Sequence, residues 1–387
     1  MLLLSLLERR IKRGTLILRM PDGTAHSFGA GEPRAEWILR NEDTARRLLR
    51  DPEFEVGETY LQGGWDAGEG GLRNLLAVLR SNFAPQQAPN WMKPLARLLQ
   101  QFNRISSSYR NVAAHYDVPE RVFRRFLDTE MFYSCAYFSA EDMTLEQAQQ
   151  AKARHIARKL LIQSGDRILD IGCGWGSMAF YLAREYDCEV VGITLSKEQL
   201  AAAWAEQQKR GADRVRFELA DYREHRGKYD RIVSVGMFEH VGQPFFGAYF
   251  DRVKELLTEK GVALIHTIGR SGPAGLTNAW IRKHIFPGGS TPSLSRIMPA
   301  VEKSGLLLCD LEVWRLHYAI TLQHWYERFQ HSRADIAADL GETFCRMWEF
   351  YLAACEAAFR YSDLVVFQAQ LAREHGAAPL GREYLYR

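Results

Sequence analysis

Apolar and polar residues alternate on both sides of Pro21-Asp22-Gly23 in GTLILRMPDGTAHSF, a period of two that predicts a β-hairpin. EDTARRLLRDPEFEVGETYLQGGW then predicts a helix followed by a glycine-rich turn, so residues 1–80 read as a small α/β unit. Pro85, Pro89 and Pro94 lie among polar residues, and 81–102 is expected to be a linker. From about residue 103 the period lengthens. PERVFRRFLD and EDMTLEQAQQAKARHIARKLL have helical spacing, the second with an acidic start and a basic end that suit the helix dipole. Short apolar runs then alternate with helical stretches: RILDI; CEVVGI before KEQLAAAWAEQQKR; RVRFELA; DRIVSV before a helix ending near Leu257; GVALIHTI. This βαβ repetition predicts a doubly wound parallel sheet, closed by LLLCDLEVWRL and DLVVFQAQLA with aromatic-rich helices between them. The fold class is α/β: a seven-stranded, Rossmann-like sheet with a helical cover over 103–387, preceded by the small unit. No internal repeat or low-complexity tract interrupts it.

Composition changes this picture little. The chain has 387 residues, long for one core and consistent with two domains. The six Cys form no CxxC pair and no Cys/His cluster at zinc spacing, so no metal is expected and the thiols read as reduced. In MLLLSLLERRIKR the basic residues follow the apolar run, which argues against a signal peptide, and no stretch approaches the roughly 18 apolar residues of a membrane span. A cytoplasmic protein is expected. A net charge of +3 is too weak to argue for nucleic acid. The excess lies at the front, where the first 110 residues hold sixteen Lys and Arg against twelve Asp and Glu. The Leu run before Arg9, Arg10, Lys12 and Arg13 reads either as a docked terminal helix or as a contact with an anionic membrane surface.

The strongest chemical signal is Arg167 to Gly176, RILDIGCGWG. Its glycines follow a strand and open a helix, so a ligand can approach the backbone without meeting a Cβ, near free N–H groups. A dinucleotide fold wants GxGxxG and an acid ending the second strand. Here the sixth position is Ser177 and the second strand ends Gly192-Ile193-Thr194-Leu195-Ser196, which disfavours NAD. The pattern Asp170, Gly172, Gly174, Gly176 resembles motif I of class I methyltransferases, where the loop cradles the amino-acid part of S-adenosylmethionine. Asp221 follows the third strand, where such enzymes contact the adenine amino group; taken alone it is equally a surface-loop Asp.

Longer blocks narrow the resemblance. VAAHYDV (112–118), FYSCAYF (132–138), ILDIGCGWGS (168–177), GITLSKEQ (192–199), DRIVSVGMFEHVG (230–242), HTIG (266–269), IFPGGSTPS (285–293), HYAITLQHWYERF (317–329) and FYLAACEAAFR (350–360) resemble, in order, the cyclopropane-fatty-acid synthase family, which includes the mycolic acid cyclopropane synthases. The N-terminal unit is similar, more loosely, to the small domain preceding the catalytic one in bacterial members. The resemblance explains the missing ribose acid, since it implies Thr194, Leu195 and Gln199 beside the cofactor. It also implies Tyr133 and Ser134 at the methionine end and Tyr222-Arg223 at the adenine.

The family adds a methylene from S-adenosylmethionine across a cis alkene of a phospholipid acyl chain. The enzyme must align sulfonium and alkene and exclude water. Methyl transfer leaves a carbocation, and a base must then take a proton from the new methyl. The resemblance implies bound bicarbonate as that base, among Cys135, Glu239, His266, Ile268 and Tyr318. Glu239 would accept the proton bicarbonate carries and keep its other oxygens basic. Tyr137, Phe138 and Trp325 offer π faces to a cation. Taken alone, Cys135 reads as buried filler, His266 as a core histidine and Tyr318 as packing. Glu239-His240 stands apart because it ends an apolar parallel strand, where open α/β sheets bind ligands. Cys355 matches a family Cys once regarded as catalytic, but its helical apolar setting reads as core.

AWIRKHIFPGGSTPSLSRIM suggests a lipid-facing cover, with Arg282, Lys283 and His284 either meeting head groups or forming a solvated helix face. The expected partners are a membrane surface bearing unsaturated phospholipid, contacted peripherally, and a second copy of the chain, since family members often dimerise. Rival readings are a methyl-branching fatty-acid enzyme, an amine N-methyltransferase of the same fold, and a lipid-binding scaffold without catalysis. The intact glycine loop with Glu239 and His266 argues against the last.

Overall fold

The computed structural model describes residues 2–83, 118–273, 275 and 277–386. The chain divides into two compact units: Met1–Asn90 with Thr277–Ile285 and Tyr318–Asp363, and Trp91–Leu276 with Phe286–His317 and Leu364–Arg387. Helical segments far along the chain thus share a unit with the N-terminal residues. Most of the expected linker, and all of the 112–118 block but Val118, fall outside the described residues.

In the first unit, β1 (Gly14–Arg19) and β2 (Ala25–Ala30) form the expected antiparallel hairpin, closing at Arg19 opposite Ala25. With β3 (Arg34–Leu39) and β4 (Trp65–Ala67) they make a four-stranded sheet in the order β2-β1-β3-β4. The helix predicted after β3 is two helices, Glu42–Arg50 and Pro52–Leu61. Proline bars Asp51 from helical backbone but suits the first turn of a new helix, where its missing N–H has no partner to lose. Asp51 then caps that helix, accepting from the Phe54 N–H at 3.3 Å. The next helix, Gly71–Asn82, takes the first two positions of the expected linker. The long helix Glu342–Tyr361 packs here through buried acids: Glu349 accepts from the Tyr60 hydroxyl at 2.7 Å, and Glu356 accepts two bonds from Arg73 at 2.6 and 2.8 Å. At the amino terminus, Leu3 and Leu7 of helix Leu2–Arg10 are buried while Leu2 is exposed, as in a docked terminal helix.

The second unit is built on a seven-stranded sheet of β5 (Arg167–Ile171), β6 (Glu189–Thr194), β7 (Val215–Leu219), β8 (Tyr229–Val235), β9 (Leu257–Arg270), β10 (Leu307–Trp314) and β11 (Leu364–Ala372). Its order is β10-β11-β9-β8-β5-β6-β7, with β11 antiparallel to both neighbours and the remaining pairs parallel. The central strands read as continuous apolar runs because both faces are covered. Helices Leu145–Leu160 and Ser177–Glu185 close one face, packing Ile156, Leu160 and Leu182 on Ile168, Val190 and Val233. Helices Phe246–Leu256 and Leu294–Ser304 close the other, packing Phe250, Val253 and Val301 on Leu169, Ile232 and Ile265. The strand order reverses between β8 and β5, so the loops at their carboxyl ends diverge and leave a crevice.

Candidate active site

The crevice holds a pocket in the second unit. Four strand ends supply its walls: Asp170, Gly172 and Gly174 after β5, Thr194, Leu195 and Gln199 after β6, Asp221-Tyr222-Arg223 after β7, and Gly236, Met237 and His240 after β8; the segment Met131 to Ser134 lines it as well. Every expected cofactor residue except Gly176 is in this lining. Gly176 instead starts helix Ser177–Glu185 in left-handed backbone, φ +88°, against the rings of Phe217 and Phe180. Its reason is packing beneath the loop. Gly172 and Gly174 also have positive φ, +83° and +57°, which L side chains adopt only with strain.

At the β6 wall the Thr194 hydroxyl donates to Gln199 Oε1 at 3.0 Å, while Ser196 caps the following helix by accepting from the Gln199 N–H. The neutral pair stands where a dinucleotide fold has its acid. At the β7 wall, Arg223 binds the Asp221 carboxylate through two guanidinium nitrogens at 2.8 and 2.6 Å and through its own backbone N–H at 2.9 Å. Asp221 is thereby rigid. Phe123, Tyr133 and Trp175 form an aromatic cluster, with Phe123 5.1 Å from Tyr133 and 4.7 Å from Trp175.

Asp170 is buried, and its Oδ2 has no hydrogen-bond partner. Burial pushes its carboxyl up to about 7, against the pull of the Lys152 ammonium. An orphaned buried carboxylate oxygen beside the glycine loop fits the amino group of an amino-acid ligand. It also strains the ligand-free fold. An unfolded Asp titrates near 3.8, so as pH rises from there to about 7 the unfolded chain releases a proton that the folded chain keeps, and folding weakens. Asp170→Asn is therefore expected to stabilise the ligand-free protein at pH 8 by about 1–3 kcal/mol, less than that pKa rise alone implies because Lys152 loses a counter-charge. The gain should fade toward pH 4, and cofactor affinity should fall. Thermal melts across pH check this; a variant less stable than the parent at pH 8 would make Asp170 a net stabilising partner of Lys152.

Cys135 and Glu239 are each next in sequence to a residue of the pocket wall, Ser134 and His240. Cys135 follows Ser134 and is fully buried. Glu239 lies in the short turn Phe238–His240 after β8, its backbone carbonyl accepting from the Ser290 N–H at 2.9 Å. Its Oε1 accepts from the Ile268 N–H at 2.7 Å, and its buried Oε2 has no hydrogen-bond partner. The Ile268 N–H is thus engaged in fixing Glu239, which sequence reasoning did not anticipate. Burial pushes the Glu239 carboxyl up to about 7, opposed first by the Ile268 bond and less by its own N–H and the nearby Thr267 hydroxyl. His266 on β9 is buried and held well below its ordinary pKa, chiefly by desolvation and then by the Lys152 field, so it is neutral. Gln368 Nε2 lies 3.0 Å from His266 Nδ1; donation there leaves the imidazole proton on Nε2. An unpartnered carboxylate oxygen and a neutral imidazole N–H suit a small anion that both donates and accepts, as bicarbonate does.

The other expected residues have different settings. Tyr318 and Cys355 belong to the first unit. There the Tyr318 ring lies 5.9 Å from that of Trp325 and 4.9 Å from that of Phe359. Burial pushes the Cys355 thiol up to about 12, so it is no ready nucleophile. Trp325 is fully buried, and Tyr137 stacks on His155 and His317 with both ring distances 4.9 Å. Lys283 and His284 both bond Glu58, at 2.9 and 2.8 Å, leaving only Arg282 of the three proposed head-group cations outside that pairing. Three residues the sequence reading missed are Gln149, Lys152 and Gln368. Lys152 carried a signal: it lies on the apolar stripe Leu145, Ala148, Ala153, Ile156 of its helix, where a charge breaks the pattern.

Similarity to known proteins agrees with this geometry. The family model described as mycolic acid cyclopropane synthetase matches residues 103–369. The cyclopropane-fatty-acyl-phospholipid synthase of Escherichia coli (strain K12) is 39% identical over 347 residues, covering 89% of each chain. A probable fatty acid methyltransferase of Pseudomonas putida is 41% identical over 289 residues, covering 71% of this chain and 73% of its own. The structure of the cyclopropane synthase MmaA2 from Mycobacterium tuberculosis matches with a TM-score of 0.65 at 37% identity, covering 68% of this chain and 98% of that one. With a seven-stranded sheet of this order and a pocket at its switch point, the chain belongs to the mycolic acid cyclopropane synthetase family of S-adenosylmethionine-dependent methyltransferases.

Proposed function

We propose that the protein is a cyclopropane-fatty-acyl-phospholipid synthase, transferring a methylene from S-adenosylmethionine to a cis double bond of an unsaturated phospholipid acyl chain, with bicarbonate as the base. The observation that carries this is Glu239: a buried carboxylate with one oxygen fixed by Ile268 and the other unpartnered, next in sequence to His240 of the pocket wall. An amine acceptor brings its own lone pair, whereas an alkene requires proton removal after the methyl has moved. The alkene π electrons form the new bond to the methyl carbon while the S–CH3 bond breaks, its electron pair goes to sulfur, and neutral S-adenosylhomocysteine leaves. The electrons of one methyl C–H bond then close the ring, and the proton must leave. Bicarbonate, when bound, supplies the acceptor for that proton.

The chain's own groups orient and exclude. Glu239 Oε2 accepts a proton donor and the His266 Nε2–H donates to an anion, with Cys135 of the same unit in the set and Ile268 holding the other Glu239 oxygen. Asp170, Tyr133 and Ser134 take the methionine end, Thr194, Leu195 and Gln199 the ribose, and Asp221-Tyr222-Arg223 the adenine; Gly172 and Gly174 allow close approach. Cys355 serves packing. The acyl substrate lies in a bilayer, so the enzyme works peripherally at the inner face of the membrane. Among the described residues no helix is long and apolar enough to cross one.

The test is incubation with labelled S-adenosylmethionine and unsaturated phospholipid vesicles, with and without bicarbonate, followed by mass spectrometry of the acyl chains. The expected result is one added methylene, loss of the alkene, and activity that falls on bicarbonate depletion and returns on its addition. The 41% identity to a probable fatty acid methyltransferase favours one alternative, a methyl-branched product, which shares the first step and differs in the fate of the cation. A methyl branch, or label only on an added amine, would overturn the cyclopropane assignment.

A further inference from the structure

The pocket segment Met131 to Ser134 rests on two polar side chains of helix Leu145–Leu160. Gln149 Nε2 donates to the carbonyls of Phe132 at 3.3 Å and Ser134 at 3.0 Å. One turn on, Lys152 is wholly buried, with Nζ 2.8 Å from Ser134 Oγ and 3.8 Å from the centroid of the Phe132 ring. The same segment is tied from its start by Asp128, whose carboxylate accepts from the N–H groups of Glu130 at 3.0 Å and Phe132 at 2.9 Å. Met131 holds φ +62°, left-handed backbone that a non-glycine residue keeps only when its surroundings impose it.

A buried ammonium is costly, and a hydroxyl can be held more cheaply by a neutral group. What the ammonium adds is direction. In its charged form, which burial disfavours by pushing the pKa down to about 7 against the pull of Asp128, Lys152 can only donate, so Ser134 Oγ then accepts from it and the serine proton is free to be given to something else. Ser134 lines the pocket. The acceptor chemistry that matches is a carboxylate, and Asp170, which also lines the pocket, offers its unpartnered oxygen to an ammonium. Together these define a zwitterion's two ends.

We infer that Lys152 is a positioning residue: through Ser134 it commits a hydroxyl proton to the carboxylate at the methionine end of S-adenosylmethionine. The inference rests on the reading that this pocket takes that co-substrate. Charge-assisted bonds of this kind are worth about a factor of ten or more in affinity.

The test is calorimetric titration of S-adenosylhomocysteine and of methylthioadenosine, which lacks the amino-acid end, into the parent protein, Lys152→Met, Ser134→Ala, Ser134→Thr and the Lys152→Met/Ser134→Ala double variant. Lys152→Met and Ser134→Ala should each weaken S-adenosylhomocysteine roughly tenfold or more and leave methylthioadenosine nearly unchanged. The double variant should be little worse than the weaker single one, because both changes remove the same bond. Ser134→Thr should keep most of the affinity. Equal losses for both ligands, or multiplicative losses in the double variant, would overturn the inference. Should Lys152→Met not fold, Lys152→Gln takes its place in the same cycle, with the same results upholding or overturning the inference. A parent protein that binds no S-adenosylhomocysteine overturns the pocket assignment itself.

Discussion

Glu239→Gln is expected to lower turnover on unsaturated phospholipid vesicles by roughly 10²–10⁴-fold, the usual range for a lost acid–base partner, with S-adenosylhomocysteine affinity nearly unchanged. The glutamine can still accept from the Ile268 N–H, so the turn after β8 keeps its anchor. Its second position becomes an amide that donates where Glu239 Oε2 accepts. An anion's hydroxyl then has no acceptor, and its remaining oxygens lose basicity. The carboxylate acts only when ionised, and burial pushes its pKa up to about 7, so parent activity should rise with pH through that region. The stability effect has the opposite sign. The folded carboxyl keeps its proton between 4.5 and about 7 while the unfolded one has lost it, so the group costs stability progressively over that window. The glutamine variant should therefore melt no lower than the parent at pH 8. Inactivity combined with lower stability and lost cofactor affinity would make Glu239 a structural residue and remove its assigned role.

The sheet was legible because burial on both faces wrote each strand as an apolar run, and because strand-to-helix turns need glycine at positive φ. Glu239 was legible for a related reason: a carboxylate just past an apolar parallel strand has no packing explanation. Strand direction is absent from such a pattern, and the antiparallel placement of β11 had to be seen. Nor does local pattern encode partners such as Tyr60 and Glu349, or Arg73 and Glu356, which join segments more than 280 residues apart into one unit. Polar residues on buried helix faces are the hardest class. Gln149 and Lys152 resemble the solvated side of an amphipathic helix until the stripe is counted, and Gln368 is one polar residue in a strand otherwise read as core. The break at Asp51-Pro52 is written in the proline, but the apolar spacing continues across it and masks it.

The three glycines of the loop look interchangeable in sequence, and their surroundings predict three different losses. A Cβ on Gly176 would lie 2.5 Å from the Phe217 ring and 2.9 Å from that of Phe180, in backbone at φ +88°. Both rings belong to the core between the sheet and its helices, so neither can swing away into solvent. Gly176→Ala combines left-handed strain of about 1–2 kcal/mol with overpacking of about 1–3 kcal/mol, and should cost about 2–4 kcal/mol. That is a large part of a typical total stability of about 5–15 kcal/mol. On Gly172 the new atom would lie 2.7 Å from Met237 Cβ and Cγ; Met237 lines the pocket, so Gly172→Ala should act mainly on cofactor affinity. On Gly174 nothing lies closer than Gln199 Nε2 at 3.9 Å, so Gly174→Ala should lose only the strain, about 1 kcal/mol, and keep its fold. Chemical denaturation of the three variants, with S-adenosylhomocysteine titrations on those that fold, separates these outcomes. If Gly176→Ala proved as stable as Gly174→Ala, packing against Phe217 and Phe180 would not be what demands that glycine. A contact with bound cofactor would then be the better explanation, despite its absence from the pocket wall.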